Sequence, residues 1–214
     1  MNLFEFLQNN TDKLLSLTLE HLQMTGIAIT IAILIGVPLG ILITRFDRLA
    51  DPVLAVANVF QTIPSIAFFG ILIPILGIGK QTAILVLFLY ALLPIIKNTY
   101  TGIEGVSASM VDAARGMGMT DMQILRMIEL PQALSVIMAG IRVSTVINIG
   151  TTTIAAYIGG GGLGEFIFKG IQLYRNEMIL AGAIPAALLA ILADKLLELL
   201  EVRLAPRSSG KLKN

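Results

Sequence analysis

The 214-residue sequence contains no cysteine, no tryptophan and a single histidine, His21, and only 14% of its residues are charged. Without cysteine there is no disulfide, no thiolate nucleophile and no thiolate metal ligand. The same absence says nothing about redox compartment, because there is no thiol to keep reduced or to oxidise. One histidine cannot build a His-based metal site. The net charge is only +1, so the basic face that nucleic-acid binding requires is missing. No G-x-x-x-x-G-K-[ST] stretch occurs, so the chain has no phosphate-cradling loop of its own. Together these absences argue against a catalytic polypeptide.

What fills the sequence instead is apolar. Hydrophobic residues make up 56% of it and the mean hydropathy is +0.85, well outside the range of soluble domains. About 20 apolar residues cross a hydrocarbon core, and uncharged runs of that order recur. Leu22 to Thr44 reads as span one, with no small-residue cleavage pattern behind it to suggest a removed leader. Pro52 to Gly79 reads as span two, Gln81 to about Thr101 as span three, Gln132 to Ile158 as span four and Met178 to Leu200 as span five. Pro64 and Pro74 fall inside span two, where a proline frees a carbonyl. Either a broken helix near Gln61 to Ser65 or a packed kink satisfies it. Gly159 to Gly162 cannot continue a helix cheaply and reads as a turn at the membrane surface. Leu163 to Glu177, with Phe166, Phe168 and Tyr174, reads as a short interfacial helix whose aromatics sit at headgroup depth. The fold expected is all-α and integral to the membrane, with five transmembrane helices. Residues 1–21 form an outer N-terminal segment, 22–204 the transmembrane unit and 205–214 a basic tail.

Lys and Arg concentrate on cytoplasmic loops. With five spans, one side collects nine of the fifteen, including Arg45, Arg48, Lys97, Arg115, Arg126 and the tail. The other side collects Lys13, Lys80, Lys169 and Arg175. The richer side is assigned to the cytoplasm, with the N-terminus outside and the C-terminus inside. Span four carries Arg142, which either lines a path or reaches carbonyls or headgroups. Asp194 and Lys195 read as a snorkelling surface pair near the end of span five. Spans one to three carry no acidic or histidine relay, which argues for energy supplied from outside the membrane.

The polar interruption from Ser107 to Pro131, SASMVDAARGMGMTDMQILRMIELP, falls on the cytoplasmic side. Ser109 with Asp112 approximates a capping box, and Thr120 with Gln123 is a good one. Gly116 and Gly118 supply a reversal between two short helices, and Pro131 can open the following span.

Asp112, Ala113, Ala114, Gly118, Ile128, Leu130 and Pro131 resemble the EAA signature of membrane subunits of ATP-binding cassette (ABC) importers, with Asp112 where Glu is usual. The runs Gly77 to Ile103 and Ile158 to Phe168 are similar to permeases for quaternary-ammonium osmoprotectants such as glycine betaine, carnitine and choline. The resemblance implies a type I importer core like that of the methionine permease, in a bacterial plasma membrane. It also implies a transport subunit that is not itself an enzyme. Its partners would be an ABC ATPase dimer that binds ATP and Mg, an identical or sister permease, an extracellular solute-binding protein and membrane lipid. The loop would be a coupling element seated in the ATPase, with Ala113 and Ala114 permitting close approach. Tyr90, Asn148, Thr152 and Tyr157 are candidate path-lining residues, or else interhelical hydrogen-bonding groups. No tryptophan and four scattered tyrosines leave the chain poorly equipped to grip a methylated cation, so selection falls to the binding protein. Competing readings are a permease for methionine or another amino acid, and an ATP-independent carrier or channel.

Overall fold

Span one proves longer than its apolar run. In the computed structural model, which describes residues 2–204, α2 extends over Thr11–Ile43, beginning eleven residues before Leu22. A short helix, α1 (Leu3–Asn9), precedes it and is closed by a capping box between Asn2 and Glu5. His21 therefore lies inside α2 and is fully buried, which corrects the expectation that this helix carries no histidine.

The helices that follow are α3 (Asp47–Thr62) and α4 (Ser65–Leu76), α5 (Lys80–Glu104), α6 (Ala108–Gly116) and α7 (Asp121–Ile124). A π-turn over Leu125–Glu129 carries α7 into α8 (Leu130–Ala155), and α9 (Gly164–Gln172) and α10 (Asn176–Leu204) complete the chain. Four helices are long and apolar enough to cross a membrane, and α3 with α4 supplies a fifth span if the bent pair is counted as one. No strand occurs among the described residues.

The centre of the bundle is α5, held between α2 and α8. In lipid, close helix approach depends on small residues rather than on hydrophobic drive. On α2, Ala28, Ala32, Gly36 and Gly40 recur every fourth position and are all buried. A Cβ on Gly40 would lie 2.6 Å from the Thr99 side chain of α5. Across the other face of α5, a Cβ on Gly140 of α8 would lie 2.8 Å from the Pro94 carbonyl. Small residues thus set both spacings.

Span two is broken rather than kinked. α3 and α4 meet at 98°, because Ile63 before Pro64 is pushed into extended backbone. The freed Ile63 carbonyl accepts the Tyr90 hydroxyl, and Gln61 Nε2 donates to the Tyr90 carbonyl at 3.0 Å. A side chain of the central helix therefore satisfies the break.

The glycine run docks onto α2. Gly159, Gly161 and Gly162 all have positive φ, and the Gly162 N–H donates to the Glu20 carboxylate at 3.1 Å. Lys80 reaches the same carboxylate at 3.1 Å. The aromatics after it differ in exposure. Phe166 is buried edge-to-face on Phe6 of α1, 5.4 Å between centroids, while Tyr174 is 94% exposed. Phe166 belongs to a core shared by α1, α2, α9 and α10.

Arg142 follows neither expectation. It pairs with Asp194 at 2.9 Å and Glu201 at 3.3 Å, tying α8 to α10. Lys195 turns instead to Glu198 at 2.6 Å. The expected Asp194–Lys195 surface pair is thereby replaced by an interhelical one, since adjacent residues on a helix point apart. The tail 205–214 lies outside the described residues.

Candidate partner-coupling loop

Local rules account for most of the loop's backbone. α6 begins at Ala108, with Ser107 in the cap position and no side-chain cap. Ser109 is already inside the first turn, its hydroxyl 2.7 Å from that of Ser107, so the box expected with Asp112 does not form. The helix ends in a Schellman motif. Met119 N–H donates to the Ala114 carbonyl at 3.1 Å and Gly118 N–H to the Arg115 carbonyl at 2.9 Å. Gly118 holds φ +83°, and Gly116 remains helical. The Thr120–Gln123 capping box forms as expected, with Thr120 N–H donating to Gln123 Oε1 at 2.8 Å.

Pro131 does not open a separate helix. Asp121–Ile158 is one continuous 38-residue helix, and the Leu130 N–H donates five residues back, to the Leu125 carbonyl. The π-turn absorbs the proline, which has no N–H to offer the helix ladder. Leu125 and Leu130 pack against the core formed by Ile103, Ala133 and Ile137. Anything that pushes on α7 pushes directly on α8.

The seven residues singled out for this loop divide by exposure. Asp112, Ala113 and Gly118 are exposed, Ile128, Leu130 and Pro131 are half-buried, and Ala114 is fully buried. Of the seven, Ala113 and Gly118 offer a small outward face. The expectation for Ala114 is corrected, because its Cβ is covered by the chain itself. Methionine provides much of the remaining surface. Met110, Met117, Met122 and Met127 are all exposed, and the unbranched thioether adapts to a partner's shape.

Sequence reasoning passed over the most constrained polar contact here. Arg45, just past α2, makes a two-pronged pair with Glu129 in the π-turn, using both guanidinium nitrogens. The Glu129 side chain is 7% exposed and that of Arg45 is 35% exposed. The Glu129 hydrogen bonds raise the Arg45 pKa against the opposing effect of burial, and Asp121 and Glu104 add to the rise. The one signal in the sequence was an acidic residue within the apolar run LRMIELP.

Three of the four path candidates turn inward. Tyr90 serves the span-two break, and Asn148 and Thr152 are fully buried. Thr152 donates to the Asn148 carbonyl at 2.7 Å, so the Thr25 hydroxyl, 2.9 Å away, donates to Thr152. One turn toward the glycine run, His21 Nε2 donates to the Ile149 carbonyl at 3.0 Å. These are interhelical seams between α2 and α8. Only Tyr157, at 64% exposure, faces outward.

A bundle of helices long and apolar enough to cross a membrane, with one polar loop presented as an exposed surface and continuous with a span, defines the chain as a multi-pass membrane protein. Residues 23–209 match the family of binding-protein-dependent transport system inner membrane components. The chain belongs to that family. It is 45% identical over 212 residues to the choline transport system permease protein OpuBB of Bacillus subtilis, covering 99% of this chain and 98% of that one. It is 47% identical to the carnitine transport permease protein OpuCB of Listeria monocytogenes, covering 95% and 93%. Among solved structures it is similar to the inward-facing MetNI methionine ABC transporter, with a TM-score of 0.82 and 26% identity over 90% of this chain and 96% of that one. The protein is thus a multi-pass ABC importer permease, a transport component rather than an enzyme, and an importer of this kind works with an ATPase and a binding protein.

Proposed function

We propose that this chain carries a small quaternary-ammonium compatible solute, of the glycine betaine, carnitine and choline class, into the cell by alternating access. The observation that carries the substrate class is its 45–47% identity, nearly end to end, to the choline and carnitine permeases. The methionine transporter shares the fold at 26% identity, which favours methionine or another amino acid less. Inside the bundle, His21 meets a backbone carbonyl rather than a carboxylate relay. That pairing does not favour an ion-coupled carrier.

In this reading a second permease, identical or sister, completes the path. The N-terminus is outside, and the loop 107–131 faces the cytoplasm, where Asp112, Ala113 and Gly118 contact the ATPase. ATP and Mg bind that partner. Ile128, Leu130 and Pro131 join the contact to α8. Purification of the chain from native membranes in mild detergent, with mass identification of what accompanies it, tests the assembly. Recovery of an ATPase and a binding protein is expected. Titration of that binding protein should show saturation by choline, carnitine or glycine betaine and none by methionine. Recovery of the chain alone, or saturation by methionine only, overturns the reading.

A further inference from the structure

We infer that Arg45 and Glu129 are positioning residues that transmit movement of the 107–131 loop to α2, so that one ion pair makes two spans answer to a single push. The inference rests on the loop being the ATPase contact.

Covalent continuity already links the loop to α8 through the 38-residue helix. Nothing comparable links it to α2. A cleft of about 460 Å³ separates the end of α2 from α7, lined by Ile41, Leu42, Arg45, Asp121, Met122 and Leu125. Across that gap the Arg45–Glu129 pair is the polar bridge, and its fork geometry resists rotation as well as separation. Its setting singles it out. The Arg45 guanidinium lies in the field of three carboxylates from three elements, Glu129 of the π-turn, Asp121 of α7 and Glu104 of α5. Arg115, on the same loop, reaches Asp121 only at 3.9 Å, with both side chains exposed.

The π-turn explains why Glu129 sits where it does. Its wider spacing shifts the side chains that follow by a fraction of a turn relative to an uninterrupted α-helix. Glu129 is thereby buried toward Arg45, while Met127, two residues earlier, remains 67% exposed. A carboxylate buried to this degree is costly to leave without its partner. Separation of α2 from the loop is therefore opposed, and the two are expected to move together.

The test uses the assembled importer in proteoliposomes and measures solute taken up per ATP hydrolysed. Arg45→Lys keeps the charge but loses the two-pronged geometry. Glu129→Gln keeps the shape but loses the charge. Each is expected to lower uptake per ATP on the order of tenfold, with the ATPase still co-purifying in wild-type amount. The exchanged pair, Arg45→Glu with Glu129→Arg, is expected to recover part of the loss. Should Glu129→Gln fail to reach the membrane for structural reasons alone, Arg45→Lys, less disruptive, decides. Unchanged uptake per ATP in Arg45→Lys overturns the transmission role. Failure of the ATPase to accompany even the wild-type chain overturns the coupling-loop reading instead, so the two failures are distinguishable.

Discussion

The glycines at 159–162 and 164 and the loop glycines at 116 and 118 use the same residue type in opposite ways. Around the run, space is taken by the chain itself. A Cβ on Gly161 would lie 2.3 Å from the Glu20 carboxylate, and one on Gly164 would lie 1.8 Å from the Thr153 carbonyl. In the loop, a Cβ on Gly116 or Gly118 would meet nothing within 4 Å. Both regions need a left-handed backbone, at Gly159, Gly161 and Gly162 in one and at Gly118 in the other. Only the first also needs the missing side chain to seat the turn against α2 and α8. The loop's open surroundings leave room for a neighbour outside the chain, and its exposed methionines suit such a neighbour.

Substitutions that add bulk separate the two regions most sharply. Gly164→Ala is expected to cost about 3 kcal/mol, because the obstacle is backbone rather than a flexible side chain. A lower melting temperature in detergent and less protein in the membrane would show it, and a variant that melts like the wild type breaks the comparison from the packed side. Gly118→Trp meets only the backbone strain of a left-handed residue, about 1–2 kcal/mol. It should reach the membrane in normal amount and lose uptake, whereas Gly118→Asn, which tolerates that conformation, should keep it. Normal uptake by a well-expressed Gly118→Trp would mean that the open space in the loop receives no partner.

Smaller changes sharpen the contrast. Tyr90→Phe removes the donor that satisfies the Ile63 carbonyl and should lower stability by about 1 kcal/mol. The loss should be equal with and without the ATPase, because the contact lies within the chain. Near the packed end, Glu165 is bound by Lys13 at 3.3 Å and Lys169 at 2.6 Å. Burial pushes its pKa up, but the hydrogen bond from Lys169 and the charges of both lysines outweigh it, leaving the value below the ordinary 4.5. The unfolded chain therefore takes up this proton first as pH falls. The contribution is complete above about pH 4.5 and fades as pH drops through the lowered folded value. Melting curves of wild type and Glu165→Gln should converge in acid and differ slightly at neutral pH. Parallel curves across that range would show that the lysine contacts contribute nothing measurable.

The Thr120–Gln123 box and the left-handed Gly118 were legible because each is decided within a few residues. The break after Gln61 was visible only as one of two outcomes, since whether a proline kinks or breaks a span depends on what satisfies the backbone groups it leaves unpaired. Here Tyr90 takes the Ile63 carbonyl from 27 residues away. The expected box at Ser109 failed because the helix starts two residues earlier, with Ser107 in the cap position, and Ala114 failed because its coverage comes from neighbours the local pattern does not name. Of the path candidates, only Tyr157 faces outward. Composition marked polar residues in the spans without saying which face they take.

The sequence alone determined the membrane class, the runs that become spans, the polar loop between two of them and the family signature that loop carries. These follow from hydropathy, helix length and capping chemistry, all of which act over short stretches of chain. Tertiary structure alone decided the long-range partners of the charges. Arg45 meets Glu129 across 84 residues, Arg142 meets Glu201 across 59, and Glu20 meets Gly162 across 142. A charge held among apolar helices must find an opposite charge or a backbone group wherever the packing of small residues brings one close. That distance is a property of the folded bundle and is written in no local stretch.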